Sequence, residues 1–312
     1  MAEVLNHSLA NSSMLSARFV RFFLHLNFAT LKETVVQVGT QRLPGLSAEM
    51  AYSSMLALFP AIVAVLTAIG SFKSQGTLEN LAQQLSIVAP EEVQKIIQTF
   101  LREIRIEKTR GLISVSFLAA LWVSSGAMNS AMTALDHIHQ IPAKLIRPFW
   151  KAKLVSLTLT IGTISLLVLA STLVFVSDVI IKLVATSQGG MIRQGLLTSW
   201  RLLSWPLALG IVAMTFAFIY RYGPSRWNRG NPIMPGAILA AVFWAVLSGL
   251  FRSYVSHFGN YNKVYGTLGA VIVLMLWLYL SSLVMLIGGQ LNVTVGKAMQ
   301  RSQQARRERV KG

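Results

Sequence analysis

A chain of 312 residues that is 54% hydrophobic and only 12% charged has too little polar surface to clothe a water-soluble globule, where about 25% charged residues is usual. Its apolar excess calls for a bilayer as solvent. The formal net charge of +17 has the sign that suits nucleic acid, but the basic residues sit in short connections between apolar runs. Retention of cationic loops on the cytoplasmic side produces that pattern, so no nucleic-acid partner is needed. The absence of cysteine excludes disulfides, thiolate metal sites and cysteine nucleophiles.

Residues 1–17 are polar, with Asn6, Asn11, Ser12 and Ser13, and lack the apolar stretch of a cleavable signal peptide. Residues 1–42 are expected to form a cytoplasmic N-terminus with one amphipathic helix over 18–38. There Phe19, Phe22, Phe23 and Leu26 recur at helical spacing among Arg18, Arg21, His25 and Lys32. Such a stripe suits a helix lying in the membrane interface, and equally a helix packed on the rest of the protein.

A transmembrane domain is expected over 43–295. The first span, 43–72, contains Pro60, which removes a backbone bond and favours a kink. Over 77–108 the pattern turns polar. Leu78, Leu81, Ala82 and Leu85 make one stripe, and Val93, Ile96, Ile97, Phe100, Leu101 and Ile104 another. The break at Pro90-Glu91-Glu92 suits a helix N-terminus, so an extramembrane helical hairpin is expected between spans one and two. The remaining spans are read at 111–135, rich in small residues that permit close helix approach, then 154–184, 202–220, 233–254 and 268–295. Residues 296–312 form a basic tail. The fold class is thus an all-α integral membrane protein with six transmembrane helices.

Orientation follows from the basic residues. With the N-terminus inside, the inner segments and the tail hold seventeen of the twenty-eight Lys and Arg, which places both termini in the cytoplasm. The outer hairpin's basic residues are accompanied by Glu79, Glu91, Glu92, Glu103 and Glu107.

Ionisable and amide groups at membrane depth are the functional candidates. Glu49 could line a polar cavity with Tyr52 or bind a cation; the alternative is an interfacial pair with Arg42. Arg252 could attract an anionic headgroup; the alternative is a snorkelling side chain. Asn129, Gln290 and Asn292 suit hydrogen bonds between helices. Tyr261 and Tyr265 belong to a glycine-punctuated block that reads as an external gate or as an aromatic belt. Asp178 and Lys182 are spaced for a surface pair. Asp136, His137 and His139 are the one cluster that suggests a metal, but histidines two apart on a helix differ by about 200° of rotation. No catalytic residue, metal or cofactor is expected.

Further blocks carry a family resemblance. Leu46-Ser47-Ala48-Glu49-Met50-Ala51-Tyr52 running to Leu58-Phe59-Pro60, then Pro235-Gly236-Ala237 with Trp244, Phe251 and Tyr254, then Tyr261-Asn262-Lys263-Val264-Tyr265-Gly266-Thr267-Leu268-Gly269, and finally Trp277-Leu278-Tyr279 with Gly288-Gly289-Gln290-Leu291-Asn292 together resemble the YihY/virulence factor BrkB family. The resemblance covers about residues 30–295. It implies a bacterial inner-membrane protein of six helices, linked in some members to envelope integrity or serum resistance. The family's last block usually reads Gly-Ala-Glu, so Gln290 keeps the shape and loses the charge. The family has also carried the label of a tRNA-processing ribonuclease. Nuclease chemistry wants clustered carboxylates or histidines, whereas the eleven acids and five histidines here are scattered.

The expected function is a transporter or flippase-like protein handling an envelope or lipid-related substrate, with Glu49, Tyr52, Asn129, Arg252, Tyr261, Tyr265 and Gln290 along its pathway. The alternative is a non-transporting membrane scaffold for envelope assembly, and a ribonuclease is disfavoured. The expected partners are membrane lipids, anionic ones included, and a second copy of the chain, which the small-residue helix faces would admit.

Overall fold

A computed structural model describes residues 22, 24–71, 110–186, 190–226, 232–257 and 267–311. Every regular element among them is helical: α1 (Phe28–Thr40), α2 (Leu43–Ser71), α3 (Arg110–Ile138), a 3-10 turn (Ala143–Leu145), α4 (Phe149–Thr186), α5 (Gly190–Tyr222), α6 (Met234–His257) and α7 (Thr267–Lys311). The hairpin read at 77–108 lies outside the described residues, as do Tyr261 and Tyr265. Helices α2 to α7 run from 24 to 45 residues, each longer than the roughly 20 that span a hydrocarbon core. Among the described residues, Met234–Val255 and Val271–Arg309 are long and apolar enough to cross a membrane by length and composition.

The N-terminal segment departs from the single helix expected over 18–38. The chain leaves helical geometry at residues 26–27, and Asn27 starts a new helix by accepting from the Thr30 N–H at 2.9 Å. An Asn side chain satisfies one of the four free N–H groups of a helix start. Phe22 is fully buried with Leu291, Val295 and Met299 of α7, and Leu26 packs beside them. That part of the stripe therefore packs on the protein. Leu24, Phe28, Leu31 and Val35 remain exposed, so α1 carries a second, uncovered apolar face. Arg42, at φ 55°, turns the chain sharply from α1 into α2.

Each long helix packs on the next in sequence, and α7 closes the circuit on α2 while also touching α3 and α1. The largest core gathers at one end of this ring: Leu43 and Met50 of α2, Ala131 to Ile138 of α3, Ile219 and Tyr220 of α5, Ala237 of α6, and Met285, Leu286 and Val293 of α7. Among the described residues, helix α4 gives it no member. Away from this packed end, Leu154 and Ile161 of α4, Phe243, Val246 and Leu250 of α6, and Val271, Ile272 and Leu276 of α7 are exposed. So much uncovered apolar surface would be an aggregation liability in water, whereas lipid solvates it.

The tail read at 296–312 does not break from the last span. Helix α7 continues to Lys311, and Arg301 approaches Glu33 of α1 at 3.7 Å.

Candidate functional site

The connections at the packed end are bolted together by polar groups. Asp136, buried near the end of α3, accepts the Ser225 backbone N–H at 2.6 Å on one oxygen and the Ser225 hydroxyl at 2.7 Å on the other. Arg147, in the α3–α4 connection, donates to the carbonyls of Tyr222 at 3.1 Å, Gly223 at 2.7 Å and Pro224 at 2.6 Å. Tyr222 is the last residue of α5 and the other two carbonyls follow it directly, so the cation complements that end of the helix dipole. Burial lowers the Arg147 pKa and the charge of Asp136 partly restores it; an arginine stays protonated in either case. Carboxylate and guanidinium thus hold one loop from two sides.

The Asp136, His137 and His139 run does not come together as a ligand set. Both Asp136 oxygens are engaged by Ser225, His137 is exposed, and the His139 Nδ1 lies 2.9 Å from the Leu135 carbonyl oxygen. Burial holds the His139 imidazole below its ordinary pKa, with the Leu135 bond and Asp136 opposing that shift.

Helix α7 carries the second polar group. The Tyr220 hydroxyl, fully buried, donates to the Met285 carbonyl at 2.6 Å. Asn292 inserts its amide at the start of α6, where Oδ1 accepts from the Gly236 N–H at 3.0 Å and Nδ2 donates to the Ile233 carbonyl at 3.1 Å. A side chain at position 236 would collide with that amide, which explains the glycine. Gln290, 1% exposed, instead bonds within its own helix. Its Nε2 donates to Thr294 Oγ1 at 3.0 Å while the Thr294 hydroxyl donates to the Gln290 carbonyl at 3.0 Å. Gln290 Oε1 accepts no hydrogen bond from a described residue.

The other sequence candidates lie elsewhere. Glu49 is exposed on α2 and makes no ion pair with Arg42 or any other described residue. Tyr52 is 60% exposed. Next to it, Ser53 and Ser130 join α2 to α3 through a 2.7 Å hydrogen bond, and Asn129 is exposed beside Ser130. Arg252 is exposed towards the far end of α6. Glu49, Tyr52 and Asn129 therefore belong to the exposed wall of α2 and α3, Gln290 to the core, and Arg252 to neither.

Sequence reasoning passed over Lys153 and the Asp136–Ser225–Arg147 bolt. Lys153, in the second turn of α4, donates to the Trp122 carbonyl at 2.8 Å and lies 4.5 Å from the centre of the Trp122 ring. Trp150 stands 6.4 Å from Trp122. The basic cluster at 144–153 is legible in the sequence, where it bears on topology alone.

A sequence profile described as Virulence factor BrkB matches residues 34–312. YfkH of Bacillus subtilis (strain 168), which carries a ribonuclease-like name, is 30% identical over 251 residues, covering 80% of this chain and 89% of its own. A UPF0761 membrane protein of Tolumonas auensis is 26% identical over 292 residues, 88% of each chain. One from Xanthomonas oryzae is 24% identical over 252 residues, and the match spans 55% of its length. No solved structure matches the chain. With its helical bundle, lipid-suited surface and near full-length match, the chain is a membrane protein and belongs to the virulence factor BrkB family.

Proposed function

We propose that the protein crosses the bacterial inner membrane six times, with both termini in the cytoplasm, and acts as a flippase-like handler of an envelope lipid. The observation that carries this reading is the exposed polar wall of α2 and α3, to which Glu49, Tyr52 and Asn129 belong. Lipid tails cannot satisfy polar groups. A wall of this kind suits a substrate whose headgroup travels along the protein while its acyl chains stay in the bilayer. The packed end, bolted by Asp136 and Arg147, supplies the rigid base, and the basic inner surface favours anionic headgroups.

The test is reconstitution into vesicles containing headgroup-labelled phosphatidylglycerol, with label in the outer leaflet destroyed by an impermeant reductant. Loss of signal beyond half is expected for the wild type, and slower loss for Glu49→Gln and Asn129→Leu. A trace identical to that of protein-free vesicles would overturn the reading.

A second reading, a non-transporting scaffold for envelope assembly, is favoured by one feature: the exposed cationic end of α7, with Arg301, Arg307 and Arg309. A fixed partner crosslinked through that segment, together with normal function of Glu49→Gln, would favour the scaffold. Among the described residues a nuclease finds no support, because the Asp136 oxygens are spent on Ser225.

A further inference from the structure

We infer that the outer face of α3, together with Lys153 of α4, is a binding track for the phosphate headgroup of an acidic phospholipid, with Lys153 as its anion-binding point. The inference rests on the lipid-handling reading and names the site and the ligand class.

Trp122, Gly126, Asn129 and Thr133 recur at steps of four, three and four, so they share one face of α3. Trp122, Asn129 and Thr133 are exposed and Gly126 is half-buried. This face is opposite the side that packs into the core through Ala131, Leu135 and Ile138. The two helices that flank α3 in the ring are α2 and α4, and α4 contributes the cation. A lysine near the start of a membrane helix ordinarily snorkels back to the nearer surface. Lys153 instead spends one donor on the Trp122 carbonyl, which holds its ammonium against α3 at the level of Trp122 and Trp150.

An ammonium has three N–H donors. One is used on Trp122, the ring face adds a cation–π contact, and two donors remain without a protein partner among the described residues. No carboxylate occurs between Asp136 and Asp178, and among the described residues Lys153 makes no ion pair. A positive charge held beside lipid with unspent donors is complementary to a phosphodiester. Asn129 adds a neutral amide donor between that point and the packed end, while the Thr133 hydroxyl is spent on the Asn129 carbonyl. Phe149 and Trp150, 67% and 70% exposed, set an aromatic anchor where acyl chains meet headgroups.

Tryptophan emission tests the site in the full-length protein, using vesicles of brominated phosphatidylglycerol or brominated phosphatidylcholine diluted into unbrominated phosphatidylcholine. The wild type should show extra quenching by the brominated phosphatidylglycerol that saturates at low mole fraction. That excess should vanish in a Trp122→Phe/Trp150→Phe variant. Lys153→Gln should weaken it about fivefold, as expected for one lysine charge near a lipid surface, while Lys153→Arg retains it. Asn129→Leu, which leaves every named Lys153 contact in place, should weaken it as well and provides an independent arm. Equal quenching by the two lipids in the wild type, or an undiminished excess in folded Lys153→Gln, would overturn the site. Lipid selectivity without transport would keep the site and overturn the flippase-like reading; transport without selectivity would do the reverse.

Discussion

The side chain at position 290 sits in a hydrogen-bond chain with a fixed direction. Thr294 spends its only proton on the Gln290 carbonyl, so its oxygen can only accept, and the tip of residue 290 must donate. An amide always can, whereas a carboxyl group can do so only while protonated. Gln290→Glu should therefore fold with a protonated acid. Its folded state binds a proton that the unfolded state releases above about pH 4.3, so stability relative to wild type should fall as pH rises through the carboxylate range. Unfolding midpoints in detergent at pH 5 and pH 8 check this; a pH-independent difference would contradict it. His139 has the opposite sign. Burial depresses its pKa, so the unfolded state gains a proton first on acidification. Stability should decline below about pH 6.5, with His139→Gln flattening that slope in the same measurement. The sequence identified Gln290 and Asn292 as buried amides suited to joining helices. Only Asn292 joins two helices; Gln290 bonds to its own. The distinction depends on how α7 is rotated against its neighbours, and composition and spacing leave that angle open.

At the scale of elements, the approach of α5 and α6 to α7 depends on Gly288. A Cβ there would come within 2.6 Å of both the Tyr220 hydroxyl and the Ala240 Cβ, and neither helix can retreat without disturbing the Tyr220–Met285 and Asn292–Gly236 bonds. Gly288→Ala should cost about 1–3 kcal/mol, as overpacking does. Gly249, in α6 with nothing within 4 Å of its Cβ position, is the internal control. Gly249→Ala should be neutral or gain up to about 1 kcal/mol from helix propensity, and parallel thermal melts would compare the two. The loop bolt gives a further test. Arg147→Lys keeps the charge but loses the planar fork that reaches three carbonyls, so it should destabilise nearly as much as Arg147→Ala, by about 2 kcal/mol. The apolar runs made the long helices legible because sustained apolar stretches of about 20 residues leave helix as the natural way to satisfy the backbone in lipid. The bolt was not legible, since Asp136 and Ser225 are 89 residues apart and meet only once the ring closes. The break at Asn27 was a local signal, an N-cap residue three positions before Thr30, outweighed by the apolar stripe that runs through it.

For the whole molecule the decisive quantity is the sidedness of the connections. An inner location for the α3–α4 loop, the α5–α6 loop and both termini puts the basic excess on one face. It also puts the bolted, packed end of the ring on the cytoplasmic side, because Arg147 and Ser225 belong to those two loops. The absence of cysteine makes every introduced thiol unique. Ala143→Cys in the α3–α4 connection and Ser302→Cys near the end of α7 lie at exposed positions, and Ser187→Cys lies between α4 and α5. In spheroplasts an impermeant maleimide should label Ser187→Cys at once, and the other two only after permeabilisation. Labelling of Ala143→Cys and Ser187→Cys from the same side would remove α4 as a span. The six-helix threading would fall with it, and so would the placement of Lys153 beside lipid.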